Sequence, residues 1–155
     1  MTVRRYAGVL AFDGDSVALV RESYPTWGGS YWNVPSGSVE SGEDPATGAA
    51  RELAEEIGLV IPAESLSVVS TSTNRTGDRT SQSWNFVGHA ADPHLQVDDP
   101  DELIEQAAWF TRADAIRELS RLPYAPLREP AVAYLSGTAE WTVAHWEFTE
   151  GVLQD

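Results

Sequence analysis

The hydrophobic pattern predicts three strands before residue 35. Apolar runs at Tyr6–Phe12 and Ser16–Arg21 are separated by the polar turn Asp13–Asp15. Short apolar runs on either side of a turn are typical of a β-hairpin. The segment Ser23–Ser30 contains a proline and two glycines and is predicted to be a loop. It leads into the third, shorter strand at Tyr31–Val34.

The next element is predicted to be a helix between Asp44 and Gly58. Asp44 suits the N-cap, Pro45 fits the first helical position, and Gly58 suits a left-handed C-terminal end. Between them, apolar residues recur at helical spacing and form one face that can pack on a sheet. These residues are Ala46, Ala49, Ala50, Leu53 and Ile57.

Strands and helices are also predicted after this helix. Leu66–Thr73 and Ser83–Ala90 are predicted strands, joined by the polar link Asn74–Gln82, and Ala91–Asp101 is an acidic loop. Further on, Trp109 and Phe110 begin a final core strand, Arg112–Leu122 is an amphipathic helix, and Pro130–Leu135 adds a helical turn.

The C-terminal segment Trp141–Phe148 is rich in aromatic residues and has strand propensity. Alternation places Thr142, Ala144, Trp146 and Phe148 on one face. We interpret it as an extra strand that covers the core. The alternative is a homodimer contact through an exposed aromatic edge.

Composition favours one cytoplasmic domain over residues 1–155. The chain is 42% hydrophobic, has no apolar run long enough to cross a bilayer, and lacks the pattern of a signal peptide. It contains no cysteine, which excludes disulfides, thiolate nucleophiles and cysteine-based zinc sites. The net charge of −14 argues against binding a nucleic-acid polymer, which needs a basic surface.

Three carboxylates lie on one side of the predicted helix. Glu52, Glu55 and Glu56 are spaced i, i+3 and i+4, so their charges repel one another unless a cation lies among them. A divalent cation with oxygen ligands would offset that repulsion. Arg51 lies one turn before Glu55 and can reach back to Glu43. The alternative is an ordinary solvated acidic helix.

These residues belong to a longer pattern, which resembles the complete signature of the Nudix hydrolases (the MutT-like family). It consists of Gly37, Glu43, Arg51, Glu52, Leu53, Glu55, Glu56, Gly58 and Leu59 at the family's spacing. The resemblance implies an α/β/α sandwich around a mixed β-sheet, with a catalytic loop and helix. It also implies metal-dependent hydrolysis of a nucleoside diphosphate linked to another moiety.

The resemblance also implies roles for individual residues. Glu52, Glu55 and Glu56 carry over as ligands of Mg²⁺ or Mn²⁺, and the carbonyl of Ser36 completes the coordination sphere. Any of the three glutamates can be the base. Ser36 departs from the glycine common in the family, but a serine keeps that carbonyl. The resemblance further implies that Glu43 and Arg51 orient the site and that Gly37 allows the backbone to turn sharply.

The resemblance also leads us to expect a glutamate outside the signature that acts as the catalytic base. Family members often carry a glutamate shortly before an aromatic pair such as Trp109 and Phe110. Glu102 and Glu105 both fit, and we favour Glu105. The alternative is a solvated acidic loop.

Substrate class is predicted mainly by exclusion. The proline that marks ADP-ribose hydrolases is replaced by Arg75, and the tyrosine that marks dinucleoside polyphosphate hydrolases is replaced by Gly77. A coenzyme A motif is also not evident. A nucleoside triphosphate, or a modified one, is therefore the leading expectation. The alternatives are ADP-ribose or a nucleotide sugar, and a catalytically silent module that binds a nucleotide or a protein.

Several side chains outside the signature are candidates for substrate contacts. Trp27 lies in a loop of glycine and proline, where it could stack on a base, and Arg21 or Arg75 could meet a phosphate. The alternatives are core packing for the aromatic residue and surface ion pairs for the arginines. Weaker candidates of the same kinds are Tyr31, Trp32, Trp84, Phe86 and Arg79.

Overall fold

The computed structural model describes residues 2–100, 102–137 and 143–155. Within these residues, nine strands form one mixed sheet: β1 (Thr2–Asp13), β2 (Ser16–Tyr24), β3 (Gly29–Asn33), β4 (Ser36–Ser38), β5 (Ser67–Thr76), β6 (Arg79–His89), β7 (Ile104–Thr111), β8 (Ala144–Thr149) and β9 (Val152–Leu153). The same residues contain three α-helices: α1 (Pro45–Ile57), α2 (Arg112–Leu119) and α3 (Ala125–Leu135). Among the described residues, no helix is long and apolar enough to cross a membrane.

The sheet is built around β1. This strand pairs in parallel with β6 from Thr2 to Phe12 and antiparallel with β2 and β4 at separate points. The main order is β3-β2-β1-β6-β5-β8-β9, with β7 added to β2. The β5–β8 pair is also parallel, and the remaining pairs are antiparallel.

Two hydrophobic layers place the helices on opposite faces of the sheet. Val9 and Ala11 of β1 pack in the layer that contains residues of α1, whereas Leu10 and Phe12 pack in the layer with α2 and α3. Alternation along a strand sends successive side chains to opposite faces, which explains this division. The α/β/α sandwich with a mixed sheet is therefore confirmed.

Helix α1 begins and ends where the sequence predicts. The Asp44 carboxylate accepts a hydrogen bond from the Thr47 amide at 3.1 Å, and Pro45 is the first helical residue. Gly58 adopts a left-handed φ of 74°, and its N–H donates to the Ala54 carbonyl. The cap residues thus fix both ends of the acidic helix.

Several predicted boundaries are wrong. Asn74–Gln82 is not a polar link, because β5 and β6 extend through it as a hairpin that turns at Gly77 and Asp78. Trp109 and Phe110 end β7 rather than begin a strand. The last helix begins at Ala125, well before Pro130.

A C-terminal hairpin follows α3. In it, β8 pairs with β5 and then turns through Glu150 and Gly151 into β9. Phe148 is fully buried, while the predicted face residue Thr142, like Trp141, lies outside the described residues. The homodimer contact stays a prediction, which a size measurement in solution would test.

Candidate active site

Arg51 lies at the centre of an ion-pair network that joins α1 to the loop before it. Its Nε and Nη2 atoms donate to the two carboxylate oxygens of Glu43, each at 3.0 Å. Its Nη1 donates to Glu52 at 2.9 Å and to Glu55 at 3.3 Å, and Nη2 also reaches the Ser38 carbonyl at 2.9 Å. These hydrogen bonds to Arg51 hold the pKa of the Glu43 carboxyl below its usual range. The guanidinium therefore fixes the loop and offsets part of the repulsion within the acidic face.

Gly37 lets the loop approach the acidic helix closely. A β-carbon at this position would overlap the carboxyl group of Glu52. Gly48 is similar, because a β-carbon there would lie 2.9 Å from a carboxylate oxygen of Glu43. Two glycines thus make room for two glutamates of the signature.

Replacing Gly37 with alanine is expected to lower the rate of hydrolysis by roughly tenfold or more, because Glu52 must move away from the loop. Gly29→Ala is the matched control, since its β-carbon would meet only Tyr31, at 3.9 Å. Steady-state rates and melting temperatures of both variants provide the measurement. Equal rates in the two variants at equal melting temperatures would contradict this role for Gly37.

A second buried carboxylate, that of Glu22, acts on the same tyrosine as Glu56. Glu56 is 9% exposed and Glu22 of β2 is 6% exposed. The Asn33 side-chain amide donates to Glu22 at 2.8 Å, and burial raises the pKa of the Glu22 carboxyl. Burial, followed by the charges of Glu22 and Glu56, also raises the pKa of the Tyr24 hydroxyl. Glu22, Tyr24 and Glu56 therefore share one partly desolvated region.

Sequence reasoning missed Glu22, although a signal was available. Glu22 follows Val20 and Ala18 at intervals of two, and both of those side chains are buried in the layer that also contains residues of α1. An acidic residue at an inward position of a strand is unusual unless it is hydrogen-bonded or functional.

The oxygen donors at this site suit a hard divalent cation. Glu52, Glu56 and the Ser36 carbonyl offer such donors, and the open space at Gly37 is what lets Glu52 lie against the loop. In the described parts of the chain, no three acidic or histidine side chains already converge as a metal site. Arg51 holds Glu52 and Glu55 instead, so metal binding would require at least one of them to turn away from the guanidinium.

A cavity of about 330 Å³ adjoins Glu22 and Tyr24. Its walls include residues of β1, β2, β5 and β6 and of the start of α3. Glu22 and Ser36 line it, as do the aromatic side chains of Trp27, Trp84 and Tyr124. Of the described residues around this cavity, only Glu22 has a side chain that is ordinarily charged at neutral pH. The other polar groups are neutral and come from Ser72, Asn74, Ser81, Ser83 and Asn85, among others.

The predicted aromatic contacts divide between the cavity and the core. Trp27 lines the cavity and packs edge-on against Tyr24, with ring centroids 4.6 Å apart. Trp84 also lines it, and the guanidinium of Arg5 lies 5.4 Å from its ring centroid. The remaining candidates pack mainly in the hydrophobic layers: Tyr31, Trp32 and Phe86.

Three other predicted site residues are not brought to the acidic helix or the cavity. Arg21 forms an ion pair with Glu105 at 3.7 Å, and the Ser30 hydroxyl donates to Glu105 at 2.7 Å. Arg75 forms an exposed ion pair with Glu147 of β8 at 2.8 Å. Each arginine therefore already has an anionic partner at the surface.

Comparison with known proteins is consistent with this geometry. A model of the NUDIX domain matches residues 2–135. Nudix hydrolase 25 of Arabidopsis thaliana is 39% identical over 57 residues, which are 37% of this chain and 31% of that protein. An RNA pyrophosphohydrolase of Dinoroseobacter shibae is 36% identical over 58 residues, which are 37% of this chain and 36% of that protein. The chain thus spans about a third of the length of these two relatives.

Solved structures share the fold at low sequence identity. The MutT protein from Methanosarcina mazei superimposes with a TM-score of 0.69 at 15% identity, covering 90% of this chain and 96% of that one. At this level of identity the likeness concerns the fold alone.

Proposed function

We propose that this chain, which belongs to the NUDIX family, hydrolyses a pyrophosphate bond in a nucleoside triphosphate or a modified nucleotide. One observation carries the proposal: Glu22 and Ser36, the residue directly before the signature, line a cavity with aromatic and neutral polar walls. The acidic end suits a metal-bound polyphosphate, and the remainder suits an uncharged nucleoside.

Metal dependence is supported by the charge of the cavity. No arginine is found among the described residues that line it, and the chain contains no lysine. A polyphosphate there would need its charge offset by bound cations. Members of this family generally use divalent metals. We assign the ion to Glu52, Glu56 and the Ser36 carbonyl, with Glu55 as a further ligand. When bound, such an ion offsets phosphate charge and acidifies an attacking water.

The protein's own groups would orient the reaction. Arg51 restrains Glu43 and Glu52, which keeps the loop and the helix in register. Glu22 lies at the cavity wall, and burial raises the pKa of its carboxyl, which makes this carboxylate a stronger proton acceptor than an exposed glutamate. We therefore propose Glu22, rather than Glu105, as the base outside the signature.

Glutamine at position 22 is expected to lower kcat by roughly tenfold to a hundredfold, because the amide cannot accept the proton. Glu105→Gln is the matched comparison and should change kcat by less than about twofold, since Glu105 lies in a surface ion pair. The measurement is kcat for both variants with saturating nucleotide and Mg²⁺. The reverse order of effects would restore Glu105 as the preferred base.

The substrate is expected to be small. The net charge of −14 disfavours an RNA polymer, which is attracted by basic surfaces. The described parts of the chain share one sheet, which supports our proposal that residues 1–155 form one domain.

A substrate panel tests the proposed activity. Phosphate and pyrophosphate release would be measured with Mg²⁺ for normal and oxidised nucleoside triphosphates, ADP-ribose, nucleotide sugars and dinucleoside polyphosphates. Turnover of a triphosphate above the other classes is the expected result. If the folded, metal-bound protein hydrolyses none of them, a catalytically silent binding module becomes the better account.

A further inference from the structure

The orientation of the Asn74 side-chain amide is fixed by a backbone donor. The Gly151 N–H lies 3.1 Å from Oδ1 of Asn74, and a backbone N–H can only donate. Oδ1 must therefore face Gly151. The opposite end of the amide, Nδ2, lies 2.7 Å from the hydroxyl oxygen of Tyr124 and is the donor in that hydrogen bond.

This arrangement determines where the hydroxyl hydrogen of Tyr124 can point. Its oxygen accepts from Asn74, so its own hydrogen cannot be directed at that amide. Among the residues that the structure describes, no hydrogen bond from the Tyr124 hydroxyl to an acceptor is observed. Tyr124 and Asn74 both line the cavity. Burial raises the pKa of Tyr124, so the hydroxyl stays protonated at neutral pH and remains a donor.

The donor that fixes Asn74 comes from the C-terminal hairpin, which lies outside the residues matched by the family model. Glu150 and Gly151 have φ values of 52° and 76° and form the turn between β8 and β9. The backbone and the side chain of Glu150 both hold this turn against the β5–β6 hairpin. Its N–H donates to the Arg75 carbonyl at 2.8 Å, and its carboxylate accepts from the Gly77 N–H at 2.9 Å.

We propose that Tyr124, oriented through Asn74 by the C-terminal hairpin, determines base specificity by donating its hydroxyl hydrogen to a carbonyl oxygen of the nucleobase. The inference rests on the proposed function, because it requires a nucleobase in the cavity. Guanine and uracil carry a carbonyl oxygen where adenine and cytosine carry an amino group. An amino group meeting the Tyr124 donor would leave that donor without an acceptor, which disfavours adenine and cytosine.

Calorimetric binding of nucleoside monophosphates tests this inference without requiring turnover. The matched pairs are GMP with AMP and UMP with CMP, measured with the wild-type chain and three variants. Within the pair that binds, the wild type should bind the carbonyl-bearing nucleotide (GMP or UMP) about tenfold more tightly than the amino-bearing one (AMP or CMP). Tyr124→Phe should reduce this preference to within about twofold, because only the hydroxyl is lost.

Asn74→Asp should also reduce the preference for the carbonyl-bearing nucleotide, because it redirects the Tyr124 hydroxyl. Its carboxylate can still accept from Gly151 but would also accept the Tyr124 hydrogen and turn it away from the cavity. Arg75→Ala is the matched control: it removes an ion pair to the same hairpin and should retain the preference.

Several results would overturn the inference. They are binding of none of the four nucleotides at millimolar concentration, a wild type without the expected preference, and an unchanged preference in Tyr124→Phe. Hydrolysis is followed separately. A protein that shows the preference and its loss in Tyr124→Phe, but hydrolyses no nucleotide, would count against the proposed function and leave the base assignment standing.

Discussion

Replacing Glu56 with glutamine is expected to lower kcat/KM for nucleotide hydrolysis by about 10²-fold or more. Glu56 is nearly buried, and its charge acts on Tyr24 at the cavity wall. Glutamine has almost the same shape but no negative charge, so it is a poor ligand for a divalent cation. Glu52→Gln should cause a loss of similar size, because Glu52 is the glutamate that the loop at Gly37 accommodates.

The control for these variants is Glu64→Gln, which changes an exposed carboxylate in the segment between α1 and β5. It should retain wild-type kinetics. Circular dichroism and thermal melts separate lost chemistry from lost folding. Wild-type kcat/KM in both Glu52→Gln and Glu56→Gln would remove the acidic helix from the catalytic account.

Truncating Phe148 to alanine is expected to reduce the free energy of unfolding by about 3–5 kcal/mol. Its side chain is 0% exposed although it lies close to the C-terminus, and it belongs to β8, which pairs in parallel with β5. Removing the ring loses its transfer free energy and leaves a cavity between packed elements. The measurement is equilibrium denaturation in urea.

Val152→Ala is the matched control in the same hairpin. Val152 is 63% exposed, so its truncation should cost less than about 0.5 kcal/mol. A loss below 1 kcal/mol in Phe148→Ala would mean that the C-terminal hairpin is not part of the hydrophobic core. It would also weaken the argument that this hairpin holds Asn74.

The sequence predicted those features that depend on residues close to one another along the chain. Asp44 and Gly58 marked the ends of α1 because capping depends on residues within a few positions. The spacing of Glu52, Glu55 and Glu56 placed them on one side of that helix for the same reason. Reach across a short loop also allowed the contact between Arg51 and Glu43 to be anticipated.

Contacts that depend on the pairing of strands far apart in sequence could not be predicted from local patterns. The Arg21–Glu105 contact depends on the register of β2 against β7, which brings residues more than 80 positions apart together. Local pattern could therefore suggest Arg21 and Glu105 as separate candidates but not reveal that they face each other. The fixing of Asn74 by Gly151 has the same origin, with 77 positions between the two residues. Glu22 differs, because strand alternation alone could have identified it as an inward-facing carboxylate.

The central claim is that the acidic helix and its loop hold a divalent cation needed to hydrolyse a pyrophosphate bond. Its most direct test is the steady-state rate on the best nucleoside triphosphate, after chelation of all divalent metal and during titration with Mg²⁺. We predict negligible turnover with chelator and saturable recovery with Mg²⁺ in the wild type, with little recovery in Glu56→Gln. Full turnover in the presence of chelator would contradict the claim.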